Sequence, residues 1–363
     1  MKVPLTKRGM IQTALGSIFY LLHDGRSNNN ESSVDNNNIK APILCFHMSP
    51  RSSDEYLEVL PLLAEHDGDG DGTSSGRIVI AFDTPGYGSS ENPLKSCTID
   101  EISDAFLEAA DKLLLECDEQ EQDNKSKNES ISNEFVTIGS LMGNFFCVSI
   151  ASRYPERVKG TILTNIWFNP TSTKAEADDD IGTEISADNK KDSAIKSDPF
   201  ILKDDGSHLM ELHQKRSSVL DNELNLRVVH TEISYLVNRR KRYPLGISIQ
   251  DPNTYDFIGA CHKIVGDRSK NNNNKILCIK GEGYTEMFDK FGLDGSKRFD
   301  DACQLLRNNN NNNDDNDEQN NNNGALVVQV ETLTGDKSTL NLINQMSNEF
   351  AILCNIFLNQ HRL

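Results

Sequence analysis

The sequence has 363 residues and a formal net charge of −18. That length suffices for one large domain with an inserted cap, or for two smaller domains. Nucleic acids and anionic membranes are bound through basic surfaces, so this charge argues against a nucleic-acid partner. No apolar run approaches the length of a membrane span. Apolar residues make up only 36%, a deficit concentrated in Asn-, Asp- and Ser-rich runs.

Six of these runs are too polar to be buried, and we predict that they are solvated loops between elements of secondary structure. Long insertions in surface loops add little to the entropy of loop closure, so a fold tolerates them there and not within its strands. The runs are residues 27–38, 67–76, 118–133, 171–196, 268–274 and 308–323.

Strands and helices alternate between the polar runs. In chain order, the patterns predict a hairpin at 9–20 with its turn near Gly16, strand 42–47, helix 54–65, strand 77–83, helix 98–117, strand 134–138, helix 142–153, strand 158–165, strand 275–280, strand 325–332 and helix 341–359. Thr98 and Glu101 have the spacing of a capping box at the start of their helix. Strands that are apolar on both faces indicate a doubly wound, mostly parallel α/β sheet covered by helices.

Three segments resemble the α/β-hydrolase-fold superfamily (AB hydrolase-1 type) in their order and spacing. Residues 42–50, PILCFHMSP, resemble the strand and His-Gly-x-Pro turn that helps to form an oxyanion hole. Residues 77–90, RIVIAFDTPGYGSS, resemble the next strand and its loop. Residues 135–143, FVTIGSLMG, followed by ASRYPERV at 151–158, resemble the nucleophile elbow and the helix after it. The resemblance implies one α/β-hydrolase domain over 1–363, with a core at 9–165 and 271–363 and a helical cap at about 166–270.

The nucleophile position of this pattern holds Leu141. The family's chemistry needs G-x-S-x-G, in which small flanking residues allow a sharp turn from strand to helix. Gly139 and Gly143 keep that spacing, so we expect the turn to be present. A leucine side chain cannot attack a carbonyl or phosphoryl centre, however. The neighbouring Ser140 is one residue early, and we interpret it as a turn serine that bonds to local backbone.

The family's Ser-His-Asp triad also needs a histidine base and an acid, and neither is found at its usual position in this sequence. The resemblance places a His in the loop after the last strand, where this sequence has Asp336. The acid could lie in the loop after the preceding strand, where Glu282 and Glu286 are candidates. Without a His to orient, either is more simply a loop carboxylate.

The resemblance also places a pocket at the elbow, next to the oxyanion turn. We assign His47, Met48, Leu141 and Met142 to this pocket region, although His47 could equally stabilise the turn. Asp83, Pro85 and Gly86, like Gly139 and Gly143, are interpreted as structural turn residues. No His, Cys and acidic residues show zinc spacing, so we expect neither a metal nor a cofactor.

Two further features have ordinary interpretations. The eight cysteines lack CxxC spacing and several lie in apolar runs, which predicts free buried thiols in a reducing, cytoplasmic environment. The basic run at 238–243, NRRKRY, is more simply a solvated helix face than an anion site.

Two functional hypotheses follow. The first is a hydrolase-like protein that lacks Ser-His-Asp hydrolysis and keeps a pocket for a small molecule or a protein partner. The second is an active enzyme of the superfamily, a hydrolase or lyase acting on a small organic substrate through a non-standard set of residues. Fold alone does not decide between them.

Overall fold

The computed structural model describes residues 6–26, 40–64, 76–122, 133–168, 202–217, 222–242, 245–266, 275–290, 292–307, 327–335, 337–338 and 342–363. The polar runs 27–38, 171–196, 268–274 and 308–323 lie outside these residues, as do 67–75 and 123–132. Residues 118–122 were expected in a loop, but they continue a helix. They are Asp, Glu and Gln, and Glu and Gln are good helix formers even where they are not buried.

The described residues form one eight-stranded sheet in the order β1-β2-β4-β3-β5-β6-β7-β8. β1 and β2 form the predicted hairpin, β2 pairs antiparallel with β4, and the remaining strands are parallel. The predicted fold class is therefore confirmed. The strands are β1 Lys7–Thr13, β2 Gly16–Asp24, β3 Ile43–Phe46, β4 Ile78–Phe82, β5 Phe135–Ser140, β6 Val158–Thr164, β7 Lys275–Gly281 and β8 Val327–Leu333.

Ten α-helices are found in the described part of the chain. They are α1 Val59–Ala64, α2 Ile99–Gln122, α3 Met142–Arg153, α4 Ser207–Ser217, α5 Asn222–Arg242, α6 Phe257–Gly266, α7 Glu282–Lys290, α8 Gly295–Arg307, α9 Leu342–Gln345 and α10 Ser347–Gln360. The capping box of α2 is present, because Thr98 N donates to Glu101 and Glu101 N donates to Thr98 Oγ1.

Two predicted helices are each divided into two pieces. The segment 54–65 forms a 3₁₀ turn at Ser53–Tyr56 and then the separate helix α1. Pro61 explains the break, since it has no N–H to donate to the carbonyl four residues earlier and is tolerated only in a first turn. The segment 341–359 is divided at Met346 between α9 and α10.

Helices cover both faces of the sheet. One apolar cluster contains residues of α2, α3, α6 and α8, and the other contains residues of α1, α9 and α10. Aromatic contacts fix the first cluster beneath the elbow: the ring centroids of Phe46 and Phe106 are 4.9 Å apart, and those of Phe106 and Phe146 are 5.2 Å apart. Because β3, β4 and β5 are parallel neighbours, the loops at their carboxyl ends lie side by side.

Helix α5, from the predicted cap, is docked on two of these loops. Its last residue, Arg242, is buried and donates to Gly86 O at 3.0 Å. The Arg242 guanidinium lies over the rings of Tyr87 and Tyr235. The solvated face predicted for 238–243 is therefore wrong at Arg242, whereas Arg240 and Lys241 are exposed and Tyr243 lies outside the described residues. The division into core and cap stays a prediction.

All eight cysteines are free and buried, as predicted. No helix in the described segments has the length and apolar character needed to cross a bilayer. The same segments contain no group of three His, Cys, Asp or Glu side chains arranged to hold a metal ion.

Candidate functional site

The turn between β5 and α3 has the geometry of a nucleophile elbow. Leu141 stands at its apex with φ 46° and ψ −102°, a conformation that residues with a side chain rarely adopt. Leu141 N donates to Thr164 O at 3.2 Å, and Asn144 N donates to Leu141 O at 3.1 Å. The chain therefore keeps a strained turn although the residue at its apex carries no reactive group.

Gly139 and Gly143 are required by the close approach of the backbone around Leu141. A Cβ on Gly139 would lie 2.6 Å from the carbonyl carbon of Gly143, and a Cβ on Gly143 would lie 1.9 Å from Phe46 O. Real Cβ atoms do not come this close to other heavy atoms. The two glycines thus let α3 start directly against β5 and β3.

Replacement of Leu141 by glycine is expected to raise the free energy of unfolding by about 1 kcal/mol. Strain at such a backbone conformation is on the order of 1–3 kcal/mol, and the greater freedom of glycine in the unfolded chain offsets part of the gain. Urea unfolding would measure the change. A matched Ser152→Gly substitution inside α3 should instead lower stability. A loss of stability in Leu141→Gly would mean that packing of the leucine side chain stabilises the fold by more than the backbone strain at position 141 destabilises it.

Ser140 bonds to a distant carboxyl group and not to local backbone as expected. Ser140 Oγ donates to Glu55 Oε1 at 2.8 Å, and Met48 N donates to Glu55 Oε2 at 2.8 Å. Ser140 is only 1% exposed and Glu55 only 4%. Burial raises the pKa of Glu55 to about 7, although both hydrogen bonds and the charge of Arg51 oppose the shift.

His47 stabilises the turn after β3. Thr84 N donates to His47 Nε2 at 2.9 Å, so the ring proton is on Nδ1, which donates to Met48 O at 2.8 Å. Burial lowers the pKa of His47 to about 4, and the imidazole is therefore neutral at pH 7. Of the two roles considered for His47, these contacts support the structural one.

Asp83 joins two loops. Its Oδ1 accepts from Ser53 N and its Oδ2 accepts from Ser89 N, both at 2.6 Å. Burial raises the pKa of Asp83 to about 6 in spite of these bonds. The turn beside it is closed by Tyr87 N, which donates to Thr84 O, and Pro85 and Gly86 stand at its two central positions.

The candidate acid lies on a helix and not in a loop. β7 passes directly into α7, and Glu282 is the exposed first residue of that helix. The loop prediction was wrong, since no residue separates β7 from α7. At this junction the Cα of Gly281 lies so near Ser338 O that a Cβ would be 2.2 Å away. Asp336 lies outside the described residues. The segment after it packs on α7, where Gly283 N donates to Ser338 Oγ.

A small cleft opens between α5 and the 3₁₀ turn that carries Glu55. It encloses about 20 Å³, which is room for about one water molecule. Seven of its eight lining residues are polar or charged, but most of the surface that they present to the cleft is apolar. The lining does not include the four residues assigned to the pocket region, for which the pocket role stays a prediction. The cleft is lined by Arg51, Ser52, Asp54, Glu55, Arg227, Val228, Thr231 and Asn344.

Sequence reasoning missed three residues that organise this region, namely Glu55, Asn144 and Arg242. Asn144 is buried, and its amide group donates to Thr164 O at 2.9 Å and accepts from Thr164 N at 3.1 Å. A polar residue inside an otherwise apolar helical stretch, NFFCVSIA, is a usable signal for such a role. Glu55 and Arg242 stand among other charged residues, so nothing in the sequence distinguishes them.

The comparisons with known proteins agree with this geometry. The family model for the alpha/beta hydrolase fold matches residues 41–184. No curated protein matches the chain. Because β3, β5 and the elbow lie within the matched segment, and the sheet has the order and parallel pairing described above, the chain has the α/β-hydrolase fold.

Solved structures resemble the chain over nearly its whole length. The enol-lactonase from Burkholderia xenovorans LB400 is 13% identical with a TM-score of 0.53, over 97% of this chain and 100% of that one. The epoxide hydrolase CorEH is 11% identical with a TM-score of 0.54, over 98% and 99%. The thioesterase domain from the curacin biosynthetic pathway is 15% identical with a TM-score of 0.53, over 98% and 99%. At these identities the likeness concerns the fold alone.

Proposed function

We propose that this protein is a hydrolase-fold protein without Ser-His-Asp hydrolysis, which binds a small molecule or a protein partner near its elbow. One observation carries the proposal: Leu141 occupies the strained apex, and the adjacent hydroxyl, Ser140 Oγ, is buried and donates to Glu55. An attacking group must be exposed to the substrate, and Ser140 is only 1% exposed. The free thiols further support a reducing, cytoplasmic environment.

A fluorophosphonate probe and a panel of short esters, thioesters, lactones and epoxides test this proposal. The panel covers the reaction classes named for the structural neighbours. We expect neither labelling by the probe nor turnover of any panel compound. At least one compound should raise the melting temperature in a saturable way. This stabilisation should be lost in Leu141→Trp, because the larger side chain at the apex would block binding near the elbow. Turnover by the unaltered protein that Leu141→Trp abolishes would contradict the proposal.

Replacement of Leu141 by serine is expected to leave probe labelling within about tenfold of the Leu141→Ala control, because a serine without its base loses most of the rate. Time-resolved labelling by the fluorophosphonate measures this. Strong labelling of Leu141→Ser would mean that a base other than a His at position 336 serves the elbow. Labelling that arises only in a Leu141→Ser, Asp336→His double variant would identify position 336 as the family's His position.

A second candidate function is an enzyme with a non-standard set of residues. Glu55 favours it, since a buried carboxyl with a pKa of about 7 next to the elbow suits general acid–base chemistry. Turnover of any panel compound that falls at least a hundredfold in Glu55→Gln, with the fold intact by circular dichroism, would support this candidate against the first.

A further inference from the structure

Glu55 connects three parts of the molecule through one residue. Its carboxylate accepts from Met48 N, in the loop after β3, and from Ser140 Oγ, at the end of β5. Its main-chain carbonyl accepts from Asn344 Nδ2, on α9, at 2.8 Å. A change in the hydrogen bonding of this carboxyl group therefore reaches both the oxyanion turn and the elbow.

A small cleft lies next to this buried residue, between α5 and the 3₁₀ turn. Glu55 is part of the cleft lining, and the space holds about one water molecule. Ser140, in contrast, is not part of the lining, so its hydroxyl communicates with the cleft through Glu55.

We propose that Glu55 is a proton-operated switch that reverses its hydrogen bond with Ser140. In the ionised form both carboxylate oxygens accept, Oε2 from Met48 N and Oε1 from Ser140 Oγ. When a proton from water binds Oε1, the new O–H donates to Ser140 Oγ, and Oε2 still accepts from Met48 N. The Ser140 hydroxyl hydrogen then turns away from the carboxyl group. One proton is taken up and no covalent bond other than O–H forms.

The charges around Glu55 are compatible with protonation near neutral pH. Arg51 is the cation whose charge favours the ionised form, whereas Cys45 of β3 and Tyr56 of the 3₁₀ turn face it as neutral groups with raised pKa values. Asp54 and Arg227 also line the cleft, and Arg227 pairs with Glu58. Burial outweighs these charges and both hydrogen bonds, and raises the pKa of Glu55 from 4.5 to about 7.

The sign of the linkage follows from this shift. Between pH 4.5 and 7 the folded protein holds a proton on Glu55 that the unfolded chain has lost, so stability falls as pH rises through this window. Urea unfolding from pH 5 to 8 should show the unfolding constant of the unaltered protein rising by on the order of a hundredfold relative to that of Glu55→Gln. The control Glu101→Gln, which removes an exposed carboxylate with a lowered pKa, should keep the unaltered trend.

Ser140→Ala tests whether the titration of Glu55 is coupled to Ser140. Ser140 is hydrogen-bonded to Glu55 in both protonation states, but the bond to the ionised carboxylate is charge-assisted and is the stronger of the two, so loss of the hydroxyl should move the titration midpoint to higher pH. Infrared spectra of protein labelled with ¹³C only in its glutamate carboxyl groups report this midpoint directly. Because aspartate is unlabelled, the carboxyl group of Asp83 does not contribute to the shifted signal. This measurement on the unaltered protein also serves if Glu55→Gln does not fold.

We expect one glutamate signal to titrate above pH 6 in the unaltered protein. This signal should be absent from Glu55→Gln, and its titration midpoint should lie at higher pH in Ser140→Ala. The proposal is overturned if no glutamate titrates above pH 6, or if Ser140→Ala leaves the midpoint unchanged. It does not depend on the proposed function, since each measurement is made without ligand or substrate.

Discussion

Replacement of Gly143 by alanine is expected to lower the free energy of unfolding by about 3–5 kcal/mol. The added Cβ would lie 1.9 Å from Phe46 O and 2.6 Å from the Phe46 carbonyl carbon. These are backbone atoms of β3, a central strand, so relief of the clash requires either α3 or β3 to move. Both elements contribute to the largest apolar cluster, and the movement would open that cluster as well.

Urea unfolding monitored by tryptophan fluorescence and circular dichroism would measure this change. Gly160→Ala is a matched control: its Cβ would come within 2.7 Å of Leu363 Cδ1, the end of a flexible side chain that can turn aside. We expect the control to lose less than about 1 kcal/mol, since a flexible contact relaxes where backbone does not. Equal losses for the two variants would show that the elbow is not held as tightly as its geometry indicates.

Replacement of Asn144 by alanine is expected to destabilise the fold by about 2–4 kcal/mol, because it leaves the buried N–H and C=O of Thr164 without their side-chain partner. The Asn144 amide group satisfies both of these groups at once and ties the first turn of α3 to the end of β6. Asn144→Asp should be nearly as harmful, since a carboxylate cannot donate to Thr164 O.

The control for this prediction is Asn355→Ala, which removes a single bond from Asn355 Nδ2 to Leu62 O, between the partly buried Asn355 of α10 and helix α1. A loss of about 0.5–1.5 kcal/mol is expected there. Should Asn144→Ala prove as mild as the control, water must replace the amide group at Thr164, and the link between α3 and β6 would not be a determinant of stability.

The residues in these two predictions hold the elbow in place independently of the side chain at its apex. Gly139, Gly143 and Asn144 are needed for α3 to start against β3, β5 and β6, whatever residue stands at position 141. Their loss would damage the sheet and its main apolar cluster. The apex side chain itself is only partly buried, so a leucine is tolerated there at the expense of local strain.

Much of the fold was predictable because strand and helix periodicities are local properties. The all-apolar strands, the capping box of α2 and the hairpin around Gly16 were all recovered from short segments. Errors arose where a short segment departed from the pattern around it. Pro61 divided a predicted helix, the Glu- and Gln-rich end of α2 extended another, and β7 passed directly into α7 where a loop was expected.

The sequence by itself determined that the residue at the apex of the elbow is a leucine, whose side chain cannot act as a nucleophile in any conformation. It also determined the fold class, through the pattern of apolar strands. Only the tertiary structure decided the partners of the remaining polar groups. Glu55 and Ser140 are 85 residues apart, and Arg242 and Gly86 are 156 apart. Such pairs depend on how helices and loops pack in space, which no local pattern of residue types records.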